Sequence, residues 1–122
     1  MTLKLQILWS ILCVAWNGLG LYRISQGERP IGPTASLAVA IMTAVFAFLF
    51  WFFYNQKLKI PYLLLSGLAA LMAAYAVYGA FSQDPSLWPS ELWRWAGVVL
   101  NGMGFLAGIK ALMSGVNWNA KS

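Results

Sequence analysis

Chemistry in this chain has few side chains to draw on. There is no histidine, which removes the commonest general base, the commonest metal ligand and the usual axial ligand of haem. Cys13 is the only cysteine, so no internal disulfide and no thiolate cluster can form. Inside an apolar stretch it reads as a small packing residue. The three carboxylates, Glu28, Asp84 and Glu91, fall in polar connecting segments or at their edges. Asp84 and Glu91 share one such segment, but two acids in a proline-bearing polar loop are ordinarily just solvated. No glycine-rich phosphate loop is present. No catalytic residue, metal ligand or resident cofactor is therefore expected. The lack of an ionisable group in mid-membrane argues against proton-coupled transport.

Amides, glycines and aromatic rings remain. Asn17 stands in WNGLG and Asn101 in LNGMG, and Leu8-Trp9 is echoed by Leu92-Trp93 at the same offset. An amide facing lipid is poorly satisfied, so Asn17 and Asn101 are expected to face protein. They fall at similar depths, which makes each a candidate partner of the other. Gly97, Asn101, Gly104 and Gly108 follow at i, i+4, i+7 and i+11, on one helical face. Gly104 and Gly108 form a small-xxx-small pair that lets another backbone come close. Together with Gly20 these residues are the expected helix-packing set. Near Tyr54 seven aromatic residues crowd into nine positions. Of these, Phe46, Phe50, Trp51, Phe53 and Tyr54 are candidates for contact with lipid or a flat guest such as a quinone or carotenoid.

The elements that must position these residues are four apolar runs, roughly 3–22, 34–54, 61–81 and 92–113. About 20 helical residues, rising about 1.5 Å each, cross a hydrocarbon core of about 30 Å. The chain is 61% hydrophobic and 9% charged, against about 25% charged in a typical soluble domain, so it cannot cover a water-facing surface. The expected fold class is all-α: an integral membrane four-helix bundle with short loops, one transmembrane domain over residues 1–122. The first run exceeds a signal-peptide core and is not followed by an A-x-A-like cleavage site, so it reads as a retained helix.

A net charge of +5 would point to nucleic acid in a soluble protein, but here it reports topology, and no nucleic-acid partner is expected. Four crossings put both termini and the middle turn on one side, with Lys4, Lys57, Lys59, Lys110 and Lys121. Arg23, Arg29 and Arg94 lie on the other. The excess predicts both termini in the cytoplasm.

Local signals refine the ends. Thr34, after Pro33, is the expected N-cap of the second helix, and Ser90-Glu91 the start of the fourth. The short basic turn 55–59 makes the second and third helices antiparallel neighbours. Small residues Ser66, Ala70, Ala73 or Ala74, Val77 and Ala80 form a stripe on the third helix. Trp88, Trp93 and Trp95 are expected in an interfacial aromatic belt, with Trp118 as another interfacial residue in the tail.

Trp16-Asn17-Gly18 and the segment Lys59-Ile60-Pro61-Tyr62-Leu63-Leu64-Leu65-Ser66 resemble a group of uncharacterised small bacterial four-span inner-membrane proteins. The resemblance covers about a third of the chain and implies a fold and a bacterial inner membrane, but no activity. The functional expectation is a non-catalytic accessory or stabilising subunit of a larger membrane complex, working through helix–helix and lipid contacts. Its partners would be other transmembrane subunits and membrane lipid, and a homo-oligomer is compatible with the pattern. The alternatives are a small oligomeric transporter or channel around Asn17 and Asn101, or a protein that binds quinone, pigment or lipid.

Overall fold

The computed structural model describes residues 2–33 and 35–114. Four helices fill it: α1 (Thr2–Ser25), α2 (Leu37–Asn55), α3 (Lys59–Ser82) and α4 (Glu91–Ser114), with a 3-10 turn at Pro85–Leu87 before α4. Each is long and apolar enough to cross a bilayer. The protein is an all-α integral membrane four-helix bundle. One end carries the start of α1, the α2–α3 turn and the end of α4, and is called the turn end here. The two-loop end carries the α1–α2 and α3–α4 connections.

Helix ends follow backbone chemistry. α1 stops in a Schellman motif, with Gly27 at φ +77, Glu28 N–H donating to Arg23 O at 2.8 Å and Gly27 N–H to Ile24 O at 3.0 Å. α2 ends the same way, but Lys57 takes the left-handed position at φ +56, with Leu58 N–H on Phe53 O at 2.9 Å. Pro61 is tolerated in α3 because it lies in the first turn, where no intrahelical acceptor awaits its missing N–H.

The start of α2 corrects the sequence expectation. Its cap is Ser36, whose Oγ accepts from Val39 N–H at 3.2 Å. Thr34, like Trp118 and Lys121, lies outside the described residues. The physical reason is that Ser36 N–H donates to Asn17 Oδ1 at 3.0 Å. This bond holds the chain extended against α1, so helical geometry begins only at Leu37.

The helices form a ring in chain order. α1–α2 and α3–α4 pack most extensively, α1–α4 closes the ring, and α2–α3 is the sparsest of these contacts. The short turn does make α2 and α3 neighbours, but their ring contacts lie at the turn end, where Tyr62 meets Phe50 and Tyr54 edge-on at 6.1 and 5.6 Å. The core of that half is Trp9, Phe46, Phe50, Tyr62, Leu65, Ala69 and Ala73.

At the two-loop end the connections fold over the bundle. Ile31 is buried beneath them. Arg23 Nε donates to Arg29 O at 2.7 Å, and Arg29 Nη2 donates to Ser86 O, tying the two loops together. Asp84 Oδ1 accepts from Ser86 N–H at 2.9 Å and caps the 3-10 turn. These bonds hold its carboxyl below the ordinary value of 3.8. The fold thus favours the charged form, so the cap is complete above that value and is lost as pH falls through the lower folded one. The Ser86 amide proton should titrate with a midpoint below 3.8, and a midpoint at or above it contradicts the cap.

Candidate functional site

Both asparagines turn toward protein, and not toward each other. Asn17 Nδ2 donates to Cys13 O at 3.0 Å while its Oδ1 accepts from Ser36 N–H. Asn101 Nδ2 donates to Gly97 O at 3.1 Å while its Oδ1 accepts from Trp9 Nε1 at 3.2 Å. Each amide bonds back along its own helix and uses its oxygen on a neighbouring segment.

The glycines are notches filled from within the chain. Trp9 and Trp16, seven apart on α1, seat their indoles on Gly104 and Gly97, seven apart on the antiparallel α4. A Cβ on Gly104 would stand 2.7 Å from Trp9 Cγ, and one on Gly97 3.3 Å from Trp16 Cη2. Gly108 meets α3, where a Cβ would lie 2.8 Å from Ala70 Cβ and 2.9 Å from Ser66 O. Gly20 packs under Ala35 of the first loop, where a Cβ on it would stand 2.7 Å from Ala35 Cβ. The small-residue face of α4 is therefore filled by α1 at Gly97 and Gly104 and by α3 at Gly108.

The aromatic set of α2 divides. Phe46 and Phe50 are buried in the core, in edge contact at 6.5 Å. Phe53 and Tyr54 are half-buried against that core, and Trp51 is exposed. The belt expectation for tryptophan is corrected in part. Trp95 is exposed, but Trp88 is only 6% exposed and Trp93 lies edge-on to Trp16 at 6.0 Å. The α3–α4 connection folds back over the bundle and carries Trp88 inward with it.

A cavity of about 230 Å³ opens where α2 and α3 stand apart, in the half nearer the loops. Val39 and Thr43 of α2 and Met72 and Ala76 of α3 form its sides. Trp9, Cys13 and Asn101 form its back, and Trp16, Trp88, Pro33 and Arg94 stand toward the loops. Arg94, near the start of α4, donates from Nε to Ala80 O at 2.7 Å and pairs with Glu91 at 2.9 Å. Its guanidinium lies over Phe81 and Trp95, 5.4 and 5.6 Å from their centroids. Thr43 Oγ1 is satisfied by Val39 O at 2.9 Å and Ala40 O at 3.2 Å. The lining is thus mostly apolar, with Asn17, Thr43, Arg94 and Asn101 held in place by the protein's own bonds.

The turn half is closed by a polar knot the sequence reading missed. Gln6 reaches across the ring from α1 to α3, donating from Nε2 to Ser66 Oγ at 2.8 Å and accepting from Tyr62 OH. Ser66 Oγ donates to Tyr62 O, and Ser10 Oγ to Gln6 O, both at 2.9 Å. Gln6, Ser10 and Ser66 are all buried. The signal for this was present: Gln6, Ser10, Cys13, Asn17 and Gly20 recur at four- and three-residue steps on α1, the spacing of one helical face.

No family model, curated protein or solved structure matches this chain.

Proposed function

We propose that this chain is a non-catalytic membrane protein that holds a small, mostly apolar molecule in the cavity between α2 and α3. The observation that carries the reading is the cavity itself. At about 230 Å³ it exceeds an engineered cavity of roughly 150 Å³ that admits benzene, so it is large enough for a ring or a short chain segment. Sites of this kind combine apolar walls with a few fixed polar groups, and the indoles, Asn101 and Thr43 supply both. The sparse α2–α3 contact offers entry from the side, directly from lipid. None of the three carboxylates lines the space, which supports binding over hydrolysis.

Two other readings weigh less. An accessory subunit needs helix faces left over for partners, and the notches at Gly97, Gly104 and Gly108 are occupied within the chain. A transport path would have to pass the Gln6–Tyr62–Ser66 knot and Phe50, which fill the turn half. With both termini in the cytoplasm of a bacterial inner membrane, as the lysine distribution favours, the cavity would belong to the outer leaflet.

The test is solvent extraction and mass spectrometry of protein purified in mild detergent. Wild type should carry about one equivalent of an apolar small molecule. Ala76→Phe, which fills the space from α3, should lose it while keeping its helical content. Identical extracts from both proteins, or a stoichiometric partner chain beside an empty cavity, would overturn the reading.

A further inference from the structure

The cavity is a slot along the helix axes, and residue size sets its shape. Small residues make its middle: Cys13 on α1, and Ala76 and Gly79 on α3. Large ones close its floor, where Met72 and Leu100 pack beside Trp9 on the core of the turn half. Along α1 the lining runs from Trp9 to Asn17, about 12 Å at about 1.5 Å per residue. The floor residues Met72 and Asn101 each lie about ten residues from the loop-side ends of α3 and α4. That distance is about 15 Å, half of a hydrocarbon core of about 30 Å. The slot is therefore about one leaflet deep. Its open side, where α2 and α3 stand apart, faces lipid.

Resting on the reading above, we infer that the guest is one extended acyl chain, entering sideways between α2 and α3 with its polar end at the two-loop end. Drawn over about 12 Å, a volume of about 230 Å³ leaves a channel about 5 Å across. That is the width of a single methylene chain at carbon–carbon contacts of about 3.5–4.0 Å. With C–C bonds of about 1.5 Å an extended chain advances about 1.25 Å per carbon, so about nine carbons fill the slot. A lone flat ring would occupy only part of this length and leave the rest of the lining without contacts. The polar groups are arranged to match. Gln83 and Arg94 stand at the two-loop end, at the depth of a lipid's polar end. Deeper down, Thr43 Oγ1 donates to its own helix and Asn101 bonds to Gly97 O and Trp9 Nε1, so neither calls for a polar guest atom. Lipid tails are as apolar as the lining, so the gain is the contact that an empty slot forgoes. The chain can belong to a membrane phospholipid or to a free fatty acid.

Photo-crosslinking of the full-length protein in phosphatidylcholine vesicles tests this. The probes are a trace phosphatidylcholine and, in a parallel set, a trace free fatty acid, each with a diazirine either near the ninth carbon or beside the carbonyl. The ninth-carbon probe should label Thr43, which is 1% exposed and is reached by a chain only from within the slot. The probe beside the carbonyl should label Gly79 or Gln83 instead. Whichever set labels Thr43 more at equal mole fraction identifies the source of the chain. Ala76→Phe should cut Thr43 labelling at least tenfold and leave labelling of the outward Leu71 and Tyr75 unchanged. Gly79→Leu should do the same, and covers the case in which Ala76→Phe disturbs the fold. A Cβ on Gly79 meets only the Gln83 side chain, at 3.8 Å. Labelling confined to outward residues at both chain positions, or Thr43 labelling that both substitutions leave intact, overturns the chain assignment. The cavity reading then stands if extraction still yields one equivalent of another apolar molecule, such as a ring compound. If extraction yields no guest either, both fall together.

Discussion

Gly108→Ala is expected to lower the unfolding free energy by about 1–3 kcal/mol, the usual cost of forcing a methyl group into a packed interior. Gly102→Ala on the same helix should stay within about 0.5 kcal/mol of wild type. The two positions differ in what lies opposite. At Gly108 the new carbon would stand 2.8 Å from Ala70 Cβ and 2.9 Å from the Ser66 carbonyl. One is backbone and the other is fixed to it, so neither can swing away, and α3 and α4 must separate. At Gly102 nothing lies within 4 Å. Because α3–α4 is among the most extensive contacts of the ring, the loss should appear as a lower melting temperature by circular dichroism in detergent. Equal effects at the two glycines would mean that the backbones do not approach as described. Packing of this kind matters in a bilayer because lipid tails are as apolar as the helix surfaces. Helix association then depends on close contact and interhelical hydrogen bonds.

Gln6→Leu should cost about 1–3 kcal/mol, because it takes an acceptor from the Tyr62 hydroxyl and a donor from Ser66 inside the bundle. Gln6 joins α1 to α3 across the ring, and the three side chains are each no more than 2% exposed. Tyr62→Phe alone should also destabilise, by leaving Gln6 Oε1 without this donor. The double variant is the decisive measurement. Once both groups are gone, no polar atom of the pair is left to be desolvated, so the combined loss should fall short of the sum by more than about 0.5 kcal/mol. Strict additivity would show that the two residues act separately. The same double-mutant cycle applied to Gln6 and Asn101, which share no bond, should give additivity.

The medium and the fold class were legible in the residues alone. Run length and hydropathy are local sums, and they do not depend on what the rest of the chain does. The four expected spans accordingly agree with α1 to α4 within a few residues, and the later start of α2 traces to one long-range bond between Ser36 and Asn17. The glycine spacing on α4 was visible too, and with it one shared face.

What fills that face was decided only in three dimensions. One residue turns a helix by about 100°, so the sequence could bring Asn17 and Asn101 to similar depth without showing that one meets a loop amide and the other an indole. Gln6 stands only two residues from Lys4 in sequence, and its place on the buried side of α1 shows only in the fold. Trp88 looked like a belt residue because it sits in a polar loop. Its burial depends on that loop folding back over the bundle, tied to the other loop by Arg29. The cavity has no counterpart in any run of residues. It is the space left where α2 and α3 diverge, and space of that kind is set by how helices rotate and splay against one another, which hydropathy does not encode.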